Sequence, residues 1–553
     1  MTLLRLAATF SICALLLSNT GCDTVSTPTF TADPAITKNP NTAVPLAAIV
    51  NAATNEPTLL DIQVSDGNRQ WQIPTPSEYS LSHSLVVLGL KPDRQHRVTV
   101  TARNEAGKNT LPRELEFTTP PLPDDFPALE VLVSNPEKME PGITLFALMR
   151  WPDGEDTDDD YGLAVAVDEQ GDVVWYRRGN HLFEDAARSA SGHLLSLVGY
   201  NRLEESDMLG NVVNSWHAAK HPDQEANELV PEGSIPVATE TFHHDIQQMP
   251  SGNFLVLSTE MRQVDDYPTS VEDGESPMAP ANVIGDVVVE FARDGSIVNE
   301  WKLMDLLDVQ RLGYESLGGI WDIWAYEDVE GGTRDWSHGN SVFYHTETDS
   351  ILVSLRHQEA VISFSRANGE LNWILGTHDG WQDPWKQYLL TPEGDDFEWQ
   401  FHQHAAEITA DGSLILFDNG NFRAFPPNVA ATVETSYSRA VEYQIDATSK
   451  TVRQTWSYGN PENEVFYSPF ISEADRLPIT GNVLITDGGR IRDEQGRPSD
   501  QIVGGEHWAR IVEVTHSDQP EKVFELVVDA RGDDDPIGWA VYRSERLPSL
   551  YAN

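Results

Sequence analysis

Residues Phe401 to Gly420 read FHQHAAEITADGSLILFDNG. A short alternating run, an Asp-Gly turn at Asp411 and Gly412, and a second run of Leu, Ile and Phe spell a β-hairpin. A histidine, His404, stands at the head of its first strand. The chain repeats this pattern. HHDIQQMPSGNFLVLSTE, from His243, aligns without a gap, because His244 stands eight residues before Gly252 just as His404 stands eight before Gly412. SHGNSVFYHTETDSILVSLRH, Ser337 to His357, puts His338 at the same point once its turn is allowed three extra residues.

Around these hairpins the rest of the chain after Pro123 falls into units. Strands that end in Trp or another apolar residue follow turns at GDVVWYRR (Gly171), GNVVNSWHA (Gly210), GSIVNEWKL (Gly295), GELNWILG (Gly369), TVRQTWSYG (Thr451) and EKVFELVV (Glu521). Six closing strands imply six units of four antiparallel strands, and a sandwich has no reason to repeat one pattern six times. The fold class expected is therefore all-β, a six-bladed β-propeller over 123–553. Its first unit, ITLFALMR with YGLAVAVDE and VVWYRR, lacks a first strand, whereas AVYRSERLPSL, Ala540 to Leu550, is a strand without a unit. Pairing the two closes the ring and removes its open edges.

Ahead of the ring, residues 35–122 hold short alternating runs between turn residues. LVVLGLKPDRQHRVTVTARNEAGKNTLPRELEFTTPPLP, Leu85 to Pro123, is the clearest stretch. It resembles a fibronectin type III module, and a small β-sandwich is expected there. Residues 22–34, rich in Thr, Ser and Pro, read as a flexible tether. Residues 1–21 read as an export signal, with Arg5 ahead of an apolar run from Leu6 to Leu17 too short to span a bilayer. Asn19-Thr20-Gly21-Cys22 resembles a bacterial lipobox, so lipidation at Cys22 and a periplasmic or cell-envelope location are expected. Cys13 leaves with the signal, which leaves no internal disulfide.

The 37 Lys and Arg stand against 87 Asp and Glu, a formal net charge of −50. Such a chain repels nucleic acid and anionic lipid, so neither is a partner beyond an N-terminal lipid anchor. Solvation in saline surroundings is the simplest use of the excess. The acid run Asp156 to Asp160 lacks the glycine of an EF-hand loop.

In a propeller the first strand of each blade lies nearest the axis, so His244, His338 and His404 gather at one mouth of the central channel. The second strand returns to that face, which brings Arg356 and, in the His404 blade, Asn419 to the same place. The long connections, His217 to Phe242, Glu260 to Gly285, Leu303 to Ser337 and His378 to His402, emerge there too. They carry aromatic side chains in WDIWAYED and DGWQDPW and a short helix at LMDLLDVQ. Loops on one face of a rigid scaffold are where sites are built. Any one histidine is adequately explained by a structural hydrogen bond, and His243, His345, His357, His378 and His402 fall outside the repeat. Three imidazoles can hold zinc with an open position, but an adjacent guanidinium opposes a cation. A third use is covalent catalysis on an anionic group, one imidazole attacking while cations neutralise oxygens.

HHDIQQMPSGN, DWSHGNSVFY followed by SLRHQ, QHAAEITADGSLILFDNG, DRLPITGNVLIT and VYRSERLPSLY together resemble the bacterial arylsulfate sulfotransferases. The resemblance implies transfer of a sulfuryl group from an aryl sulfate donor to a phenol acceptor, without a cofactor such as PAPS and without a metal. It implies that His404 is transiently sulfated, with His244, His338 and Arg356 around it, and that kinetics are ping-pong. Some members carry a disulfide near the site, which this chain cannot form. A homodimer is left open. Other readings of the residues are a non-catalytic surface propeller that binds sulfated or aromatic ligands, and an aryl sulfate hydrolase.

Overall fold

The computed structural model describes residues 26–552 except 151–161, 180, 224–229, 272–276, 460–463, 503 and 531–537. Cys13, Cys22 and the Asp156 to Asp160 run lie outside the described residues. The first domain contains β1 (Phe30–Lys38), β2 (Ala48–Ser65), β3 (Gln70–Gln72), β4 (Ser80–Val87), β5 (Gln95–Asn104) and β6 (Arg113–Thr118). The long β2 serves both halves of the domain. Its first part pairs with β1 and β4, its second with β3 and β5, and β6 completes the edge beside β5. Val50, Leu60, Ile62, Val64, Val87, Val98 and Val100 point inward along these alternating strands and form the core, each contributing about 1.5–3 kcal/mol by burial. Strand β1 begins at Phe30, so ordered sheet reaches into the stretch expected to be tether up to residue 34.

Among the described residues, the strands after Pro123 form six further sheets. From the inner strand outward, sheet one is Ala540–Leu547, Ile143–Met149, Leu163–Val167 and Val173–Arg178, and sheet two is Phe183–Arg188, Leu194–Val198, Arg202–Ser206 and Val212–Ala218. Sheet three is His243–Gln248, Phe254–Pro268, Met278–Phe291 and Ile297–Lys302, and sheet four is Gly339–His345, Ser350–Leu355, Ala360–Ser365 and Leu371–Gly376. Sheet five is His404–Ile408, Leu414–Asp418, Arg439–Asp446 and Thr451–Tyr458, and sheet six is Glu473–Arg476, Val483–Arg492, Glu506–Val514 and Lys522–Asp529.

Polar bonds join each sheet to the next near the inner strands and return to the start. The backbone N–H of Arg188 donates to Glu545, that of His244 to Glu184, that of Val342 to Asp245 and that of Ala406 to Ser341 Oγ. Asn419 Nδ2 donates to the Ile471 carbonyl, and the Ser472 N–H donates to Tyr542 O. This cycle is a β-propeller.

The C-terminal strand supplies the inner edge of sheet one, pairing antiparallel with Ile143–Met149. A second closure was not legible in the sequence. Strand β7 (Ala128–Ser134), directly after the first domain, forms the outer edge of sheet six against Lys522–Asp529. The first domain is docked on the closed ring. Lys91 Nζ lies 2.8 Å from Asp168 and 2.6 Å from Asp172, Asn39 Nδ2 donates to the Leu209 carbonyl, and the N–H of Leu88 donates to Tyr551 Oη at 2.7 Å.

Two connections differ from expectation. Glu260 to Gly285 is largely an extension of the hairpin of sheet three, paired as far as Pro268 with Met278. The helix expected at LMDLLDVQ is a single turn, Leu303–Leu306, and Trp321–Trp324 forms another.

Candidate functional site

Each of the three inner strands that bring a repeated histidine opens on a bulge. The ladder slips between His243 and Ile246, between Gly339 and Ser341, and between His404 and Glu407. Bulges re-aim side chains and end regular pairing. Backbone angles agree, with φ of 60° at His244, 48° at His338 and 54° at Ala405, values that L residues adopt rarely outside built sites.

His404 is buried, and its Nδ1 lies 2.7 Å from Asn419 Oδ1. The Asn419 amide cannot be turned over, because its Nδ2 donates to the carbonyls of Ser468 at 2.8 Å and Ile471 at 2.9 Å. Oδ1 is therefore the acceptor and His404 Nδ1 carries the proton. The lone pair is left on Nε2, which makes no hydrogen bond among the described residues. Burial first, and then the charge of Arg356, hold the His404 pKa well below the usual histidine range despite the Asn419 bond.

His338 directs Nδ1 to Asp335 Oδ2 at 2.5 Å. Asp335 also accepts from the Trp321 indole at 3.1 Å. Burial opposes ionisation of this carboxyl, but the neighbouring His338 and His357 hold its pKa below the ordinary value. His244 stands edge-on to His338, ring centroids 5.1 Å apart, and its Nδ1 is 2.8 Å from that of His243. Burial, then His243 and His338, depress its pKa strongly. Arg356 begins a single 3-10 turn, Arg356–Gln358, after the second strand of sheet four. Its N–H donates to the His338 carbonyl at 3.1 Å, and its guanidinium contacts Glu315, His357 Nε2 at 2.9 Å and Pro469 O at 3.2 Å.

The structure thus brings together His244, His338, Arg356, His404 and Asn419. It also brings in three histidines that the spacing excluded. His357 stacks on His338 at 4.6 Å, His243 backs His244, and His402 sits between Glu359 (2.6 Å) and Glu315 (3.3 Å). His345 and His378 do stay outside, bonded to Thr348 and to the Leu390 carbonyl. The count of eight residues runs along the chain, whereas the bulges differ in size between sheets, so neighbouring histidines enter the same space. Asp335, Glu315, Glu359, Tyr542 and Arg543 were missed as well. The sequence signals for them are the three-residue spacing of Asp335 and His338 in DWSH and, for Tyr542 and Arg543, their place in the VYRSERLPSLY motif.

The aromatic wall comes from one of the two expected segments. Trp324 lies 5.9 Å from both His244 and His338 and stacks on Tyr200 at 4.7 Å. Trp381 instead packs under Arg311, and Trp385 donates to the Leu306 carbonyl.

Asp335, His338 and His357 offer ligand atoms within 4.8 Å of one another. Yet His338 Nδ1 faces the Asp335 carboxylate and His357 Nδ1 the Asp335 carbonyl at 2.7 Å. Both acceptors take an N–H from that nitrogen, so a metal could be met only through Nε2, and His357 Nε2 already faces the Arg356 guanidinium at 2.9 Å, a cation that opposes a second one. Below the histidines, Arg543 lies 2.6 Å from Asp245, 3.7 Å from Asp185 and 3.6 Å from Glu473, and donates to the Asn340 carbonyl. Burial and mutual repulsion raise the pKa values of Asp185, Glu407, Glu473 and Asp475.

With this geometry in view, the arylsulfotransferase (ASST) family profile matches residues 129–539, and the arylsulfotransferase Ig-like domain profile matches 35–120. The chain belongs to the arylsulfotransferase family. It is similar to the arylsulfate sulfotransferase AssT of Escherichia coli O6:H1, 32% identical over 241 residues, which is 36% of this chain and 39% of the relative. It is also similar to AssT of Lelliottia amnigena, 30% identical over 243 residues, 36% of this chain and 40% of that one. The match therefore spans about two fifths of either relative's length. Among solved structures, the β-propeller domain of Cps50 (Swd1) from Myceliophteria thermophila covers 68% of this chain and 96% of its own, at 11% identity and a TM-score of 0.28.

Proposed function

We propose that this arylsulfotransferase moves a sulfuryl group from a phenolic sulfate ester to a phenol in two displacements through a sulfohistidine at His404, without PAPS. The observation that carries the proposal is the Asn419 bond that leaves the lone pair on His404 Nε2. In the first displacement Nε2 bonds to sulfur as the ester S–O bond breaks, and the phenolate leaves with a proton from His338. Asp335 steadies the charge on His338. Because Nδ1 keeps its hydrogen, the sulfated ring is an imidazolium and itself a good leaving group. In the second displacement a phenol gives its proton to His338, its oxygen bonds to sulfur, and the N–S bond breaks. Arg356 neutralises sulfuryl oxygens, and Trp324 with Tyr200 offers a face for the aryl ring. Such transfers need mainly positioning and charge stabilisation.

Mixing the protein with 4-nitrophenyl sulfate and phenol should release nitrophenol and form phenyl sulfate. Brief exposure to donor alone should add a sulfuryl group to the peptide that carries His404. Full turnover by His404→Asn would refute the assignment. We further propose export and lipidation at Cys22, in which case Cys22→Ser moves the protein from the membrane fraction to the soluble one.

A further inference from the structure

Arg356, the cation assigned to a sulfuryl oxygen, is already met by an anion of its own chain. Glu315 enters from a loop and places one carboxylate oxygen, Oε2, against Arg356 Nη1, 3.3 Å from His402 Nε2 and 3.8 Å from His357 Nε2. Three nitrogen-bearing groups of sheet four and its junction with sheet five thus converge on one oxygen. That is the environment an anionic ester needs. The side chains of Arg356, His357 and His402 are almost fully buried, whereas that of Glu315 is 44% exposed. The carboxylate therefore borders open space into which it can swing away from Arg356.

The loop holds it there deliberately. A side chain at Gly313 would start 1.9 Å from the His357 carbonyl oxygen, so only glycine lets the loop run this close to the turn that bears Arg356. On one side of Glu315, Tyr314 donates to the Asn428 carbonyl and packs on Phe422 at 4.7 Å. On the other, Ser316 Oγ accepts from the Gly313 N–H and donates toward the Trp336 carbonyl. Glu315, between these two anchors, has φ of 68°, a conformation that costs a non-glycine residue energy and persists where its surroundings impose it. Charge is consistent with exchange. Glu359 already faces His402 at 2.6 Å, so Glu315 supplies the negative charge that answers Arg356, and a sulfate monoester carries the same single charge.

Resting on the transfer reading above, we propose that Glu315 is a built-in competitor that occupies the sulfuryl-oxygen subsite until an anionic sulfate ester displaces it into solvent. The residue then sets specificity. Neutral phenols and weakly held anions do not displace it, a donor held also by its aryl ring does, and the carboxylate returns when the product ester leaves.

Two probes test this with the full-length chain at neutral pH. Inorganic sulfate binding is measured by calorimetry, which needs no turnover, and kcat and KM are measured with 4-nitrophenyl sulfate. Glu315→Gln should bind sulfate at least about tenfold more tightly, because the competent state is no longer a minor population, and should lower KM more than it changes kcat. Glu315→Ala should shift both in the same direction, which covers a Gln variant that folds poorly or keeps the contact. Unchanged or weaker sulfate binding in both variants would make Glu315 a structural prop for Arg356 and overturn the proposal. Tighter sulfate binding with no aryl sulfate turnover in any form would instead overturn the transfer reading and leave the competitor in place.

Discussion

The backbone N–H of Arg356 donates to the carbonyl of His338 at 3.1 Å, so the main chains that bear guanidinium and imidazole are tied together at the end of one antiparallel strand pair. Each side chain is then held by its own partners, Arg356 by Pro469 O and His357, His338 by Asp335. Lysine at 356 keeps the charge but cannot reach Pro469 O and His357 together, because an ammonium lacks the planar fork. Arg356→Lys should lower kcat/KM for 4-nitrophenyl sulfate by about 100-fold or more, the scale of losing one oriented donor to a developing oxyanion.

Asn419 sets which nitrogen of His404 is free, and it does so by being an amide. Asn419→Leu removes the acceptor at Nδ1 and leaves the carbonyls of Ser468 and Ile471 without their donor. The expected result is a fall in kcat of about 100-fold or more with a smaller change in KM. Steady-state kinetics with a fixed phenol acceptor measures it.

Activity should persist on the acid side of neutrality. A histidine nucleophile with an ordinary pKa would lose its lone pair as pH falls through about 6.5. Burial and Arg356 hold His404 well below that, so a pH profile of kcat/KM should show no acid limb between pH 7 and 6 arising from this group.

Stability should turn over with pH through two overlapping windows of opposite slope. Burial holds His243 and His357 down at about 3. Their folded pKa lies below the unfolded value, so their contribution is complete above about 6.5 and is lost as pH falls toward 3. Glu184 is pushed up to about 8 by burial. Its folded pKa lies above the unfolded value, so its contribution is complete below about 4.5 and is lost as pH rises through 8. Each linked proton changes stability by at most ~1.4 kcal/mol per pH unit. Thermal unfolding followed from pH 3 to 9 should fall at both ends, and Glu184→Gln should reduce the alkaline fall, which Asp185, Glu407, Glu473 and Asp475 share, while leaving the acid side unchanged.

Tyr551 pins the end of the chain under the first domain by accepting the N–H of Leu88. Tyr551→Phe leaves that donor unsatisfied and should cost about 1–3 kcal/mol. Thermal unfolding measures the loss, while turnover at room temperature should be unaffected.

The repeat was legible because its marks are local. A glycine turn, a Trp at the end of an outer strand and a histidine before a hairpin each fall within a few residues. The pairing of Ala540–Leu547 with the incomplete first unit was legible by subtraction. Strand β7 was not, since LEVLVS has the pattern of any edge strand and its partner lies nearly four hundred residues away. Glu315 and Arg543 escaped for a related reason. Their roles depend on positive φ at an anchored loop and on a cross-axis ion pair, neither of which leaves a local pattern. His357 and His402 were visible as residues, but bulges of unequal size broke the rule used to sort them.

The position of the last strand also orders events in time. During synthesis His244, His338, Arg356, His404 and Asn419 all emerge before residues 540–547, and sheet one has no inner edge until that strand arrives with Arg543 for Asp245. A nascent chain that stops short of residue 540 can therefore carry all five residues and still lack an assembled pocket, so arrival of this strand is the step that closes the ring around them.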